Sequence, residues 1–596
     1  MSRPFPVTAT MLKFSLAASL LFPIATLSAA DQSTPDRLIP RRASQIKDGF
    51  GINSDLPREP FIPWNRWWWT RMFDAGVNFI RIGQYENSSD YTSWEWVERN
   101  RGEYSVVPEL DDYVNSLVEN GVHIEVQLLY GNPLYTSPAG RTPESVTPEN
   151  GSFHNPDRSL YSIFWPPKTD AQIQAFLKYV AWMVNHFRGR VEYYEIWNEP
   201  NIEYWNPTAN PEEYGRLFKA AAAAIHSTDP KAKAVFGGLA SAETEFAKRA
   251  LDACNCAPAI DVFAYHNYPA YGHNLNPEAV HSHGDTNPSS KPLRDMVRAY
   301  PGIRKDLVFW DDEFNDGIPT WENCDESVQA KYIPRGLITD RASGVRTFVW
   351  LLVGATDGNE LDDFGMLHGL KFKPDDFTAR PVFLALQNTN ALFSDTQPDA
   401  SVKVSMDGAS AGPDPPVTYA FRSSTGKVIV AYWLRILSRP GNQSAVQRVK
   451  LRIADSGIKD PVLIDVTSGK LTSKRWTNGQ EGTLEQMPLS DTVMAVADRS
   501  FFDWPELPEA PSDLNLREGA GTIQLSWRLH GGNPEFVSIE RRVGSNAWQS
   551  LSKLDAHTTA FSDPHAYNNQ GPISYRVRAG NTAGMSAYSN IAAVGR

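Results

Sequence analysis

The sequence predicts an α/β protein: a (β/α)8 TIM barrel followed by two β-sandwiches. Three observations carry this. Between about residues 46 and 395, short β-rich runs alternate eight times with amphipathic helical stretches, the order that builds a closed parallel barrel. From residue 398 to 503 the helical periodicity stops, and alternating runs separated by turn residues replace it. A third set of such runs, residues 507–596, follows the Pro- and Glu-containing linker Trp504–Pro511. An open doubly wound sheet would usually announce a glycine-rich nucleotide turn, and the sequence has none.

In chain order, the first element is an address. Arg3 and Lys13 precede an apolar run from Phe14 to Leu27, and Ser28-Ala29-Ala30 offers small residues for cleavage. This is the secretory pattern, with an apolar run too short to span a bilayer. Residues 1–30 are therefore expected to be a removable signal, which would leave an exported chain.

The barrel is expected over residues 31–397. Its strand candidates are Phe50–Ser54, Val77–Gly83, His123–Gly131, Val191–Trp197, Ala234–Leu239, Ile260–His266, Leu307–Glu313 and Thr347–Val353. Helical patterns between them include Pro108–Asn120, Asp170–Phe187, Pro211–His226 and Val328–Ala342. Two connections are too long for simple turns: Asn132–Lys168, which carries Tyr135, Tyr161 and Trp165, and Ala270–Pro288. Both follow strands, so both belong on the C-terminal face of the barrel, where this fold keeps its chemistry. The run Trp67-Trp68-Trp69 falls early in the first helix; three consecutive residues cannot share one helix face, so it reads as packing.

An accessory β-sandwich is expected over 398–503, from the runs Ser401–Met406, Lys427–Trp433, Gln447–Ile453, Pro461–Val466 and Thr492–Ala497. Residues 507–596 hold Ile523–Trp527, Phe536–Arg542, Trp548–Leu551 and Tyr575–Ala579. There the stretches PSDLNL, IQLSW and YRVRAGNTAGMSAYSN resemble a fibronectin type III domain, with Trp527 matching its core tryptophan and Tyr575 its late-strand tyrosine. Such modules on secreted bacterial enzymes are usually spacers or adhesive appendages, and the resemblance implies contact with a polysaccharide or cell surface rather than chemistry.

Composition narrows the function. The 596 residues are 41% hydrophobic and 21% charged, which fits a core-forming protein and excludes a disordered or fibrous one. With 57 basic and 69 acidic residues the net charge is −12, which argues against a nucleic-acid partner. No second long apolar run suggests a membrane span. The 3 cysteines are too few for a disulfide scaffold. Cys254 and Cys256 are poorly spaced for pairing with each other; either one bridging to Cys324 and three unpaired thiols are equally open readings. His273, His281 and His283 lie in one loop, but spacing alone supplies no converging metal geometry, so neither a metal nor an organic cofactor is expected.

The strongest chemical signal is Tyr194-Glu195-Ile196-Trp197-Asn198-Glu199-Pro200-Asn201, at the end of the fourth strand. It resembles the clan A glycoside hydrolases, whose Asn-Glu-Pro at this strand end supplies the acid/base. That clan's second carboxylate ends the seventh strand, where Leu307-Val308-Phe309-Trp310-Asp311-Asp312-Glu313 provides Glu313. Glycoside cleavage passes through an oxocarbenium-like state. One carboxylic acid protonates the leaving oxygen, and a second carboxylate attacks the anomeric carbon. The resemblance therefore implies Glu199 as acid/base and Glu313 as nucleophile of a retaining β-glycoside hydrolase. The acid must stay protonated near neutrality, so its surroundings should raise its pKa. Asp311 is the competing nucleophile, because alternation along a strand puts it on the same face as Glu313. Relatives often carry Thr or Ser where this chain has Asp312.

The same resemblance implies substrate-binding roles. Asn198 matches the asparagine that hydrogen-bonds the sugar 2-hydroxyl. His266 and Tyr268 match a His-x-Tyr whose tyrosine holds the nucleophile. Arg81 matches the strand-2 arginine that keeps the nucleophile ionised, and Trp350 a sugar-stacking tryptophan. Within the clan, Trp94, Val97-Glu98, Gly102-Glu103-Tyr104, Leu110-Asp111 and Leu129–Tyr135 resemble family 39 and its exopolysaccharide-hydrolase relatives, a family that also contains β-xylosidases. By that likeness Tyr130, Asn132 and Tyr135 border the sugar subsites. The partner is thus expected to be a poly- or oligosaccharide. An exo-acting β-xylosidase and a non-catalytic carbohydrate-binding or adhesion protein are the rival readings; the presence of both carboxylates disfavours the second.

Overall fold

The computed structural model describes residues 37–54, 71–85, 88–89, 91–136, 164–268, 276–278, 290–315, 324–353, 364–368 and 378–595, apart from short stretches within the last segment. The expected signal, the Trp67-Trp68-Trp69 run, Tyr161 and the three loop histidines lie outside these residues.

Eight parallel strands close a barrel. They are β1 (Gly51–Asn53), β2 (Phe79–Ile82), β3 (His123–Leu128), β4 (Tyr193–Ile196), β5 (Lys233–Ala240), β6 (Val262–His266), β7 (Val308–Phe314) and β8 (Val345–Val349). Each is bonded to its sequence neighbours, and β8 returns to β1 through Gly51 opposite Phe348 and Ile52 opposite Val349. The helices that follow the strands are α1 (Arg71–Asp74), α2 (Pro108–Glu119), α3 (Asp170–His186), α4 (Pro211–Thr228), α5 (Thr244–Cys254), α6 (Lys291–Ala299), α7 (Glu326–Ala342) and α8 (Pro381–Phe393). Their starts are written in the sequence. Thr169 caps α3 by accepting from Gln172 N, Asn210 caps α4 by accepting from Glu213 N ahead of Pro211, and Asp325 accepts from Ser327 N and Val328 N at α7.

Side chains fill the barrel interior in layers, as this fold requires. An aromatic and aliphatic floor of Phe79, Tyr193, Val235, Val262, Trp310 and Phe348 closes the bottom. Above it, the next inward positions of β2, β3, β4 and β7 are Arg81, Glu125, Glu195 and Asp312, all buried. Period-two alternation thus leads from an apolar floor to a charged layer.

The β-sandwich that follows pairs a six-stranded antiparallel sheet with a three-stranded one. The larger runs through Thr396–Pro398, Val417–Ser423, Val428–Trp433, Met494–Asp498, Pro461–Asp465 and Leu471–Ser473; the smaller holds Lys403–Asp407, Gln447–Ala454 and Thr483–Leu489. Part of its core, including Phe421, Trp433 and Val462, is continuous with the barrel's. The last unit packs the sheet of Ser512–Gly519, Thr522–Arg528 and Ala560–Asp563 against one built on Phe536–Val543, Gln549–Asp555 and Ile573–Asn581. Trp527 and Tyr575 lie in the core between them, and the Tyr575 hydroxyl donates to Asp563. This unit sits against the barrel at α2: Arg542 pairs with Asp112 at 2.6 Å, and Arg576 with Glu119 at 2.5 Å. Among the described residues no helix is long and apolar enough to cross a membrane.

The cysteines correct the sequence reading. Cys254 and Cys256 form a disulfide with each other, their Cα atoms 5.1 Å apart. Cys254 ends α5, and Asn255 adopts a left-handed conformation (φ 47°, ψ 46°) that turns the chain back at once. The left-handed turn at Asn255 is what lets so short a separation close. Cys324 takes no part in the bridge.

Candidate active site

The charged layer of the barrel opens into a cluster of acids arranged around Arg81. This side chain has no solvent exposure. Its Nε and Nη2 donate to the two oxygens of Glu195 at 2.7 and 3.1 Å, Nη1 donates to Glu313 Oε1 at 2.5 Å and to Asn53 Oδ1 at 3.2 Å, and Nη2 also donates to Asn198 Oδ1 at 2.8 Å. Burial alone would lower the guanidinium pKa; Glu195, Glu313 and Asp312 together push it well above its ordinary value.

Glu199 reaches the cluster because β4 ends sharply. Trp197 and Glu199 both take positive φ, 71° and 46°, a region that side chains other than Gly enter only where the surroundings hold them. Trp197 is held by Nε1 donating to the Tyr204 carbonyl at 2.9 Å and by edge contacts with Tyr130 and Trp205. Glu199 N donates to the Gly238 carbonyl at 2.9 Å. This turn directs the Glu199 carboxyl back over the barrel mouth, with Oε1 2.8 Å from His266 Nδ1. Burial raises its pKa from 4.5 to about 8, against the opposing pull of Arg81. His266 is fully buried, and its pKa is lowered to about 3, so the imidazole is neutral.

Glu313 is held differently. Besides Arg81, it accepts the Tyr268 hydroxyl on Oε2 at 2.9 Å, and the same oxygen lies 3.4 Å from His266 Nδ1. Oxygens of Glu199 and Glu313 and a ring nitrogen of His266 all lie within 4.8 Å of one another.

The competing acid is resolved by a register irregularity. Tyr265 pairs with Asp311, but His266 pairs with Glu313, so β7 slips by one residue relative to β6. Alternation fails at that point: Asp312 and Glu313 both face Arg81, at 3.7 and 2.5 Å. Asp311 points out of the barrel, accepts from Asn267 N at 3.0 Å and neighbours Asp340. The expectation that Asp311 shares a face with Glu313 is therefore wrong, because a bulge breaks the period of two.

The remaining expected residues divide. Trp350 lies at the end of β8 and packs with Leu351, Phe364 and Tyr268, beside the cluster. Tyr130 is buried beneath the Trp197 turn. Asn198 places its amide oxygen on Arg81, and its Nδ2 has no partner among the described residues. Asn132 and Tyr135 are not brought to the cluster. Asn132 donates to the carbonyls of Trp94 and Glu98 and accepts from Leu134 N, while Tyr135 donates to Glu98 and stacks on Trp94. Their polar groups organise the loop after β3.

Glu195 and Gly238 were not singled out from the sequence. Glu195 had a signal: an acid in the middle of an apolar strand must be paired inside a barrel. Gly238 (φ +59°) had none, because what it must avoid lies on another strand. A Cβ there would stand 1.9 Å from Glu195 Oε1.

A closed parallel barrel with two carboxylates facing each other at the ends of β4 and β7 is the arrangement expected of a glycoside hydrolase. Residues 172–351 match the family described as glycosyl hydrolases family 39. Among solved structures, the chain is similar to a family 39 glycoside hydrolase from Bacteroides cellulosilyticus WH2: 19% identity, 78% of this chain and 83% of that one, TM-score 0.57. It is also similar to the family 39 enzyme of Xanthomonas axonopodis pv. citri (14% identity, 80% and 99% coverage, TM-score 0.48) and to a monomeric β-xylosidase of Caulobacter crescentus CB15 (14%, 78% and 98%, 0.48). No curated protein matches the chain.

Proposed function

We propose that the protein is a secreted β-glycoside hydrolase that cleaves O-glycosidic bonds of a poly- or oligosaccharide by double displacement, with Glu199 as acid/base and Glu313 as nucleophile. The observation that carries this is the unequal treatment of two neighbouring carboxyls. Glu313 is tied to a guanidinium and a phenol, which suits a charged group that attacks carbon. Glu199 meets a neutral imidazole and burial, and its pKa of about 8 keeps it protonated at neutral pH, as a general acid requires. Their proximity fits the roughly 5–5.5 Å separation of retaining enzymes rather than the wider gap that admits a water.

In the first step Glu199 protonates the leaving oxygen as Glu313 bonds to the anomeric carbon. In the second, Glu199 takes a proton from water, which displaces Glu313. Asn198 Nδ2 is free among the described residues to donate to a sugar hydroxyl, and Trp350 offers an aromatic wall. Export rests on the charged, apolar and small-residue pattern of residues 1–30. The fibronectin-like composition of residues 507–596 supports a role in holding the enzyme to its surroundings.

The test is mechanism-based labelling. A 2-fluoro glycoside should leave one sugar covalently bound, and peptide mass spectrometry should locate it on Glu313. A label on Asp312 or on Glu199, or inactivation with no covalent adduct, would overturn the assignment.

A further inference from the structure

The β7 irregularity leaves one group that double displacement does not use. Asp312 is fully buried, and neither of its oxygens has a hydrogen-bond partner among the described residues. Its Oδ1 lies 3.5 Å from His266 Nε2, while the other ring nitrogen, Nδ1, is 2.8 Å from Glu199. The imidazole therefore stands between Asp312 and the proposed acid/base.

We propose that Asp312 is protonated and hydrogen-bonds through that proton to the unprotonated Nε2 of His266, fixing the imidazole as the Nδ1–H tautomer that donates to Glu199.

Two observations support this. The first is the charge balance of the layer. One cation, Arg81, faces Glu195 from β4 and Glu313 and Asp312 from β7, and the carboxyl of Glu125 on β3 is also buried without a partner. From β1 comes only the neutral Asn53, which donates to the Asp312 carbonyl at 2.8 Å. The guanidinium donors already serve Glu195, Glu313, Asn53 and Asn198. A charged Asp312 would be a further buried anion with no donor of its own, and such a group takes up a proton instead. Burial, then the charge of Glu195, push its pKa well above the usual carboxylate range.

The second is the donor arithmetic at the ring. Arg81 Nη2 lies 3.4 Å from Nε2 with its N–H groups already given to Glu195 and Asn198, so an N–H on Nε2 would point at a cation with nothing to accept it. Nε2 must then be the acceptor, and a neutral imidazole carries its proton on Nδ1. That N–H occupies Glu199 Oε1 in both halves of the cycle. The catalytic proton is left on Oε2, where it can be given to the leaving group and regained from water without any change at the ring. Asp312 is thus a positioning residue, acting on Glu199 through His266, and it depends on the acid/base role proposed for Glu199.

The tautomer can be read directly in the full chain. With 15N-labelled histidine, and a His266→Gln spectrum for assignment, His266 should show a protonated Nδ1 and an unprotonated Nε2 across the active pH range; an Nε2–H tautomer would overturn the proposal. Asp312→Asn keeps a neutral donor, so the basic limb of its kcat/KM profile should coincide with that of the parent. Were Asp312 an anion, the same substitution would remove a nearby negative charge and move that limb down by about one unit or more; this outcome overturns the proposal. Asp312→Leu should lower kcat about tenfold on substrates with poor leaving groups and much less on activated aryl glycosides; parent-like rates on both would overturn it. If Glu199 is not the acid, Glu199→Gln will retain full activity while the tautomer is unchanged, which separates the two failures.

Discussion

Arg81 and Glu195 are joined by two hydrogen bonds, Nε to Oε2 at 2.7 Å and Nη2 to Oε1 at 3.1 Å, with neither side chain exposed. The flat fork of a guanidinium serves Glu195 and still points one nitrogen at Glu313; a lysine ammonium cannot reproduce that geometry. Arg81→Lys should therefore leave at least one acid without its partner. Loss of one member of a buried ion pair costs about 3–5 kcal/mol, so a clear fall in Tm is expected, together with a loss of kcat/KM of at least about a hundredfold. A Tm equal to the parent's would mean that the pair is not structural.

As the proposed acid/base, Glu199 should set the basic limb of activity. Its pKa is raised from 4.5 to about 8, so the proton donor is present below that value and lost above it. Values of kcat/KM should fall as pH rises through about 8. The linked stability has the same sign: this group's contribution is complete below pH 4.5 and declines as pH rises toward 8. Glu199→Gln should abolish the limb and reduce turnover about 10²–10⁴-fold on natural glycans, with much smaller losses on substrates carrying activated leaving groups. Parallel pH profiles of parent and variant are the check.

Tyr268→Phe removes one donor from Glu313 and little volume. Hydrogen bonds to charged groups contribute about 1.5–3 kcal/mol, so kcat should drop roughly ten- to hundredfold with a smaller change in KM. Steady-state kinetics on an aryl glycoside suffices; an unchanged kcat would show that the hydroxyl does not serve the nucleophile.

Gly238→Ala should be among the least tolerated single-carbon additions. The new Cβ would meet Glu195 Oε1 at 1.9 Å, on a backbone at φ +59° that L side chains disfavour. Neither the backbone nor the doubly bonded carboxylate can move aside cheaply. Loss of soluble protein or a large fall in Tm is expected, measured beside Gly441→Ala, where a Cβ would meet nothing within 4 Å.

Removal of residues 507–596 should leave kcat on a soluble substrate within about twofold while lowering Tm. The unit contacts α2 through Arg542–Asp112 and Arg576–Glu119. Glu119 ends that helix, on the side of the barrel opposite the strand ends that carry Glu199 and Glu313. The truncation also uncovers part of an interface that includes a nearly buried Arg576. A large fall in kcat with the fold intact would show that the unit reaches the active site.

Much of this was legible in the chain. The strand runs and helix patterns lie within a few residues of the observed elements, because alternation, caps and turn residues are local properties. In the β-modules the expected runs do not include the strands Val417–Ser423 and Thr483–Leu489. Their partly exposed, mixed-polarity residues make sense only beside their partner strands. The family 39 likeness implies Asn132 and Tyr135 as subsite residues, but a short motif does not say which way a loop folds back, and this one folds onto Glu98.

By itself the sequence determined the barrel, since periodicity is intrinsic to one chain segment, and its resemblance to the clan A enzymes implied the strand-end acids Glu199 and Glu313 and their partners Arg81, His266 and Tyr268. Only the tertiary structure decided what depends on neighbours. The β6–β7 slip turned Glu313 inward beside Asp312 and left Asp311 outside, the Asn255 turn joined Cys254 to Cys256, and the crowding of Glu195 required a glycine at 238. Each of these is a distance between segments far apart in the chain or a departure from regular backbone, and neither leaves a periodic mark in the sequence.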